Sequence, residues 1–268
     1  VTGPIKYYTL TTDTSNINAG QGITATLTAL DNNSSPVTNH SPFTITMSAG
    51  PDLTYYNNNT LTTINTSGIY TVTNGIAGIY LKATKSEAVV ITATDRALRS
   101  VSAGPITVSP GAASKLLWVT ASAPSQAVGT VWAPFLVEVT DAYNNRRTSD
   151  NSTIVTLSVV TGTSTFATGL TATASAGLAA FSATSYNKVE TINIRAGAAG
   201  LTPTATTGNI VVTIGAAAKL LWVTQPGTAQ TAGTNWTTFT VEVTDAYNNR
   251  RTSDNTTIVI LSVVTGTS

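Results

Sequence analysis

The sequence predicts an all-β protein built from tandem two-layer sandwiches, and three observations carry that expectation. The chain repeats itself at a fixed offset of 104 residues: GAASKLLWVT at 111–120 returns as GAAAKLLWVT at 215–224, and VEVTDAYNNRRTSDN beginning at Val137 returns unchanged at Val241. Apolar and polar residues alternate in short runs broken by Gly, Asn, Asp and Pro, and no helical period is visible. One copy holds about seven such runs in about 100 residues, the number expected of a two-sheet sandwich. Solenoid units would repeat at roughly 20–50 residues instead.

Residues 1–110 are a diverged copy of the unit. GPIKYYTLTT at 3–12 stands where GAASKLLWVT stands later, Asp31 takes the place of Asp141, and NGIAGIYLKAT at 74–84 parallels AGLAAFSATSY at 176–186. In the full copy at 111–214, strands are expected at 115–120, 178–184, 190–195 and 209–214, with a weaker one near 170–174. Phe135, Val137 and Val139 share one face of a further strand, as do Val155, Leu157 and Val159 of another. The expected core of this copy contains Phe135, Val137, Val139, Leu157 and Phe181. Copies are joined by three or four small residues, which restrict hinge motion, so the expected object is a rod.

Residues 215–268 reproduce 111–164 at about 40 of 54 aligned positions and supply only the first half of a third repeat, with strands expected at 219–224, 239–244 and 257–264. Half a sandwich leaves an apolar face and a strand edge bare. The expectation is that further chain, or strands donated by another subunit, completes it.

Composition narrows the function. Charged residues are 9% of the chain, against roughly 25% in ordinary globular proteins. A net charge of +1 with dispersed Lys and Arg is too weak for a nucleic-acid footprint or an anionic-membrane patch. With no Cys there is no disulfide or thiolate chemistry, and no apolar run approaches the roughly 18 residues of a membrane span. The only histidine, His40, lies in a loop of the first copy, and Glu138 and Glu242 stand on outward faces, so no enzyme is expected. The chain reads as a mature or excised segment of an exported protein.

The ordered series GAxxKLxxxT, an alternating strand ending VTDAYNN, TIVxLSVVTGT, and a Gly-x-Ala-x-Phe strand resembles bacterial immunoglobulin-like domain repeats of the invasin/intimin type, as in large surface adhesins and filament proteins. The resemblance covers both full copies and the fragment. It implies extracellular Greek-key β-sandwiches of a prokaryotic cell surface, arranged end to end and serving as spacer, stalk or adhesive module without catalysis. The family usually reads Asp-x-x-Gly-Asn after the second strand, whereas this chain has Asp141-Ala142-Tyr143-Asn144-Asn145. Asn is the non-Gly residue that best tolerates the left-handed backbone such a turn needs.

Two constellations are candidates for binding. Asp141, Asn144, Asn145 and Asp150 form an oxygen-rich set that could suit Ca²⁺, which takes six to eight oxygen ligands. Against this, Arg146 and Arg147 repel a cation, and Asp and Asn are ordinary turn residues. The expectation is a structural turn, no metal and no cofactor. Trp132 and Trp236 stand between a Gly-containing turn and a strand, and could pack, contact a neighbouring domain, or stack on a glycan. Trp118, which has Trp222 as its repeat-related partner, is expected to pack. Asn-x-Ser/Thr sequons, among them those at Asn33, Asn65, Asn151 and Asn235, indicate exposed loops. The function expected is that of an extracellular structural spacer, whose partners are neighbouring domains or subunits of a surface assembly. The alternative is an adhesin module that meets a host receptor or glycan through loops or exposed Trp.

Overall fold

The computed structural model describes residues 3–48, 50 and 52–265. It has no helix among them, and the chain divides into two compact units, 1–115 with 139–149 and 116–138 with 150–268.

In the first unit, β1 (Tyr7–Thr12), β3 (Gly22–Leu30), β7 (Ile76–Ala83) and β5 (Leu53–Tyr56) form one sheet in that order. The second sheet runs β2 (Asn16–Asn18), β9 (Ser100–Ser109), β8 (Ala88–Asp95), β4 (Phe43–Met47) and β6 (Ile69–Val72). Period-two alternation determines what each strand buries: in β3, Ile23, Ala25, Leu27 and Ala29 point inward while Thr24, Thr26 and Thr28 do not. Ile79 and Leu81 of β7 join them, and Ile45, Ile91, Ile106 and Val108 come from the other sheet to complete one core. The register Leu10↔Leu27 and Leu27↔Ala77 keeps these inward positions aligned across three strands. A one-residue slip would turn every one of them to the outer face. The first, second and fifth major strands thus share a sheet while the third, sixth and seventh share the other, which is the immunoglobulin-like sandwich arrangement.

The second copy repeats this order. One sheet holds β10 (Lys115–Thr120), β12 (Phe135–Thr140) and β16 (Leu178–Phe181). The other runs β11 (Ser125–Ala127), β19 (Ile210–Thr213), β18 (Thr191–Gly197), β13 (Ile154–Thr161) and β15 (Thr171–Thr173). A two-stranded piece, β14 (Phe166–Thr168) with β17 (Ser185–Tyr186), completes it. All five expected core residues are buried. The strand expected over 178–184 stops at Phe181, because the carbonyls of Ala183 and Thr184 turn to accept from Thr168 Oγ1 and the Trp132 amide. The three-residue strands β11 and β14 escape a periodicity reading because three residues cannot display a period.

The remaining strands, β20 (Lys219–Thr224) and β21 (Thr240–Thr244), pair antiparallel with Leu220 opposite Val243. The strand expected at 257–264 does not form. Ile258 and Ile260 are each 85% exposed and Val264 90%. In the second copy the equivalent β13 is held between β18 and β15, and the described third copy has no counterparts of these partners. For the same reason Phe239, Val241 and Val243 are only half buried, where Phe135, Val137 and Val139 are fully buried.

Candidate functional site

The turn after the second major strand recurs three times with one backbone geometry. Asp31, Asp141 and Asp245 are each buried at its first position, and Ser34, Asn144 and Asn248 each take a left-handed backbone three residues on, with φ of 58°, 71° and 68°. Each Asp amide donates to the carbonyl four residues ahead, and each Asp carboxylate accepts the amide of the glycine that leads into the first strand: Gly3 at 3.2 Å, Gly111 at 2.8 Å and Gly215 at 3.3 Å. The aspartate therefore pins the entry of its own repeat to the turn.

The Asp141 carboxylate is satisfied at both oxygens. Its Oδ1 accepts the amides of Tyr143 (2.8 Å) and Asn145 (2.9 Å), and its Oδ2 accepts Gly111 N and Asn145 Nδ2, both at 2.8 Å. These four donors fill the lone-pair directions that a cation would use. Asn144, the second residue of the oxygen-rich set, is exposed at the left-handed position. Asp150 belongs to the other compact unit, where its carboxylate accepts the amides of Ser152 and Thr153 and the Thr153 hydroxyl.

Burial opposes ionisation of Asp141, but the bonds from Asn145, Gly111 and Tyr143 outweigh it and hold the carboxyl below its ordinary value. Asp245 is lowered in the same way, burial being overcome by Asn249, Tyr247 and Gly215. A carboxyl lower in the folded than in the unfolded state contributes stability that is complete above its unfolded value near 3.9 and is lost as pH falls through the folded value. The melting temperature should therefore hold from neutrality to about pH 5 and decline below it. Asp141→Asn should flatten that decline, and an acid limb of unchanged steepness in this variant would remove Asp141 from the account.

The later turns also reach back to the preceding repeat. Within the first unit, Asn145 Nδ2 donates to the Thr84 carbonyl (2.8 Å) and its Oδ1 accepts the Ser86 amide (2.8 Å). Within the second, Asn249 does the same to the Asn187 carbonyl (3.0 Å) and the Val189 amide (3.2 Å). Arg147 and Arg251 donate to the carbonyls of Gly111 and Gly215. The Tyr143 ring lies over Gly20 so closely that a Cβ there would collide with it, and the Tyr247 ring covers Gly129 likewise. Both glycines have left-handed φ, 85° and 70°, so neither position accepts a side chain readily. The first turn has Asn33, Ser35 and Val37 where the later ones have Tyr, Asn and Arg.

The tryptophans separate. Trp132 is 2% exposed and packs edge-on against Phe166 at 5.6 Å and beside Tyr186 at 6.5 Å, which removes it as a glycan or partner contact. Its place in a short loop hides this, since its partners lie more than 30 residues away in sequence. Trp236 is 55% exposed with Phe239 at 6.5 Å. Trp118 is half buried, edge-on to Phe135, and donates to the Ala205 carbonyl at 3.0 Å. Trp222 is 45% exposed and edge-on to Phe239 at 5.8 Å. The sequon residue Asn65 is buried as well, its amide bonded to the Ile69 carbonyl, the Ser67 hydroxyl and the Gly68 amide. The residues that sequence reading missed are Thr84, Ser86, Asn187 and Val189, which offer backbone groups alone and so leave no signature in side-chain identity.

Among the described residues no three His, Cys, Asp or Glu side chains gather as a metal-holding group, and no helix is long and apolar enough to cross a membrane. No family model matches the chain, and no curated protein matches it significantly. Solved structures similar to it include the FdeC adhesin of Escherichia coli, at 18% identity over 94% of this chain and 78% of that one, with a TM-score of 0.44. Another is InvD of Yersinia pseudotuberculosis, at 19% identity over 91% and 72% with a TM-score of 0.37. A third is invasin, described as a bacterial integrin-binding protein, at 17% identity over 81% and 42% with a TM-score of 0.33. At such scores the strand order, rather than the likeness, establishes the sandwich. These neighbours are immunoglobulin-like surface proteins of the invasin/intimin kind, and it is that kind of domain the chain is similar to.

Proposed function

We propose that this chain is a non-catalytic spacer segment of a prokaryotic cell-surface protein or filament, composed of the repeats 1–110, 111–214 and 215–268. The observation that supports this reading is the repeated bond set of Asn145 and Asn249. Each ties the turn of one repeat to two backbone groups of the repeat before it, so the joint is an ordered polar contact and not a free linker. In a tandem array, stability is a sum of intrinsic terms and nearest-neighbour terms, and these turns supply the second kind. The alternative is an adhesive module that meets a receptor or glycan through its loops.

The double variant Asn145→Ala, Asn249→Ala tests the spacer reading. Amide exchange at Ser86 and Val189 should rise at least tenfold, about the loss of one hydrogen bond, while the core strands stay protected. Calorimetry should show the repeats melting more independently than in the parent chain. Unchanged exchange at both amides would refute the coupling role.

A further inference from the structure

One end of the first sandwich carries chemistry with no counterpart in the second. His40, from the loop over 31–42, and the loop joining β8 to β9 border an open cavity of about 180 Å³, lined in part by Ile5, Phe43, Asp95, Arg96 and Arg99. Its frame is a tied network. The Asp95 carboxylate accepts the Tyr8 hydroxyl (2.7 Å), Arg99 Nε (2.8 Å) and the Arg99 amide (3.0 Å). The Arg99 guanidinium also donates to the Ile5 carbonyl (2.8 Å) and stands 5.3 Å from the centre of the Tyr8 ring. Arg99 and Asp95 therefore neutralise each other and are fixed in place.

Arg96 is different. It is exposed, and among the described residues its guanidinium has neither an ion-pair partner nor an acceptor, so the rim of the cavity keeps one uncompensated positive charge. Beside it Leu98 is 84% exposed on a left-handed backbone (φ 62°), its amide bonded to the Asp95 carbonyl. A Leu at positive φ is strained, and here the turn holds an apolar side chain out into solvent next to a cation. The equivalent loop of the second sandwich reads Gly197-Ala198-Ala199-Gly200-Leu201-Thr202, without a charge. The same end of the first sandwich also carries the turn at 31–37, which lacks the Tyr, Asn and Arg that bond the later turns to a preceding repeat.

We propose that this end of the first sandwich binds an acidic segment of a partner protein, its carboxylate on Arg96 and a neighbouring apolar residue against Leu98 and the cavity mouth. Charge complementarity selects the acid, since Arg96 is the uncompensated group and Asp95 is already satisfied. The apolar elements select a peptide over a sugar: Phe43 is occupied by the edge of His40 at 5.4 Å and by Tyr8 at 6.2 Å, leaving no open aromatic face for a sugar ring.

The test uses the whole chain and a fluorescently labelled peptide of alternating Glu and Leu, followed by anisotropy at low salt. Saturable binding is expected. Arg96→Gln should weaken it by about tenfold or more, the scale of one lost bond to a charged group. Arg195→Gln, which removes an exposed cation from the second sandwich, should change it less than about twofold, as expected of a charge outside the interface. No saturable binding would overturn the proposal, as would equal losses in the two variants, which would show charge attraction without a site. Tighter binding of an acidic oligosaccharide of equal charge would overturn the choice of a peptide partner.

Discussion

Replacing Phe181 by Ala should destabilise the second sandwich by about 3–5 kcal/mol, the range for truncating a fully buried aromatic. Phe181 faces Phe135 directly across the β12–β16 pair, and the two rings stack at 5.4 Å with planes 16° apart. Both are buried, and Trp118 closes over Phe135 from the side. Truncation would leave a void between two strands whose positions are set by their backbone ladder, so collapse around it is limited. Urea unfolding of the parent and the variant measures the difference. A loss below about 1 kcal/mol would mean that the ring contributes little to the core.

Removing the Asp141 carboxylate should have the next largest effect. Asp141→Ala strands the amides of Gly111, Tyr143 and Asn145, which lose their acceptor at once, and leaves Asn145 Nδ2 with the Thr84 carbonyl alone. Each stranded buried donor costs about 1–3 kcal/mol, and partial rehydration of an edge turn reduces the sum, so a loss of about 2–4 kcal/mol is expected. The change should also raise amide exchange at Ser86, because Asn145 loses the bond that aims its amide group. Asp31→Ala should leave Ser86 unaffected, since that turn has Ser35 in place of the Asn. Equal effects of the two substitutions on Ser86 would break the link between the aspartate and the joint.

The sandwich was legible in the sequence because strand periodicity is a local signal and the repeat shows when the chain is compared with itself. Phe135, Val137 and Val139 show their face by alternation alone, and their burial follows from it. The turn was legible as a turn for the same reason: Asp141 and Asn144 are the residues that such backbone geometry favours. What Asn145 does was not legible. Its partners are a carbonyl and an amide about sixty residues away, and backbone groups look alike in every sequence. The cavity network of Tyr8, Asp95 and Arg99 left one faint mark, an acid and a base four residues apart in a chain of few charges, but Tyr8 joins it only through the fold. The strand expected at 257–264 shows the opposite limit. Its pattern matches that of β13, yet a strand in the middle of a sheet exists only when its two neighbours do.

The short strands β2 and β11 matter for mechanical load. Each runs parallel to the last strand of its sandwich, Asn16–Asn18 beside Thr107–Ser109 and Ser125–Ala127 beside Val211–Thr213. Backbone bonds from Thr107 to Ser15 and from Ala19 to Ser109 close the first pair, and bonds from Val211 to Pro124 and from Val128 to Thr213 close the second. Tension applied through the two ends of a sandwich pulls these paired strands in opposite directions along their own axes. The bonds are then sheared together instead of being opened one by one, and the force needed rises with their number. Forced unfolding is governed by the barrier to leaving the native state, so a patch of a few parallel bonds sets how long a sandwich survives under pull. Each sandwich carries such a latch between its short second strand and its last strand, and substitutions that weaken it should shorten the lifetime under tension more than they lower the melting temperature.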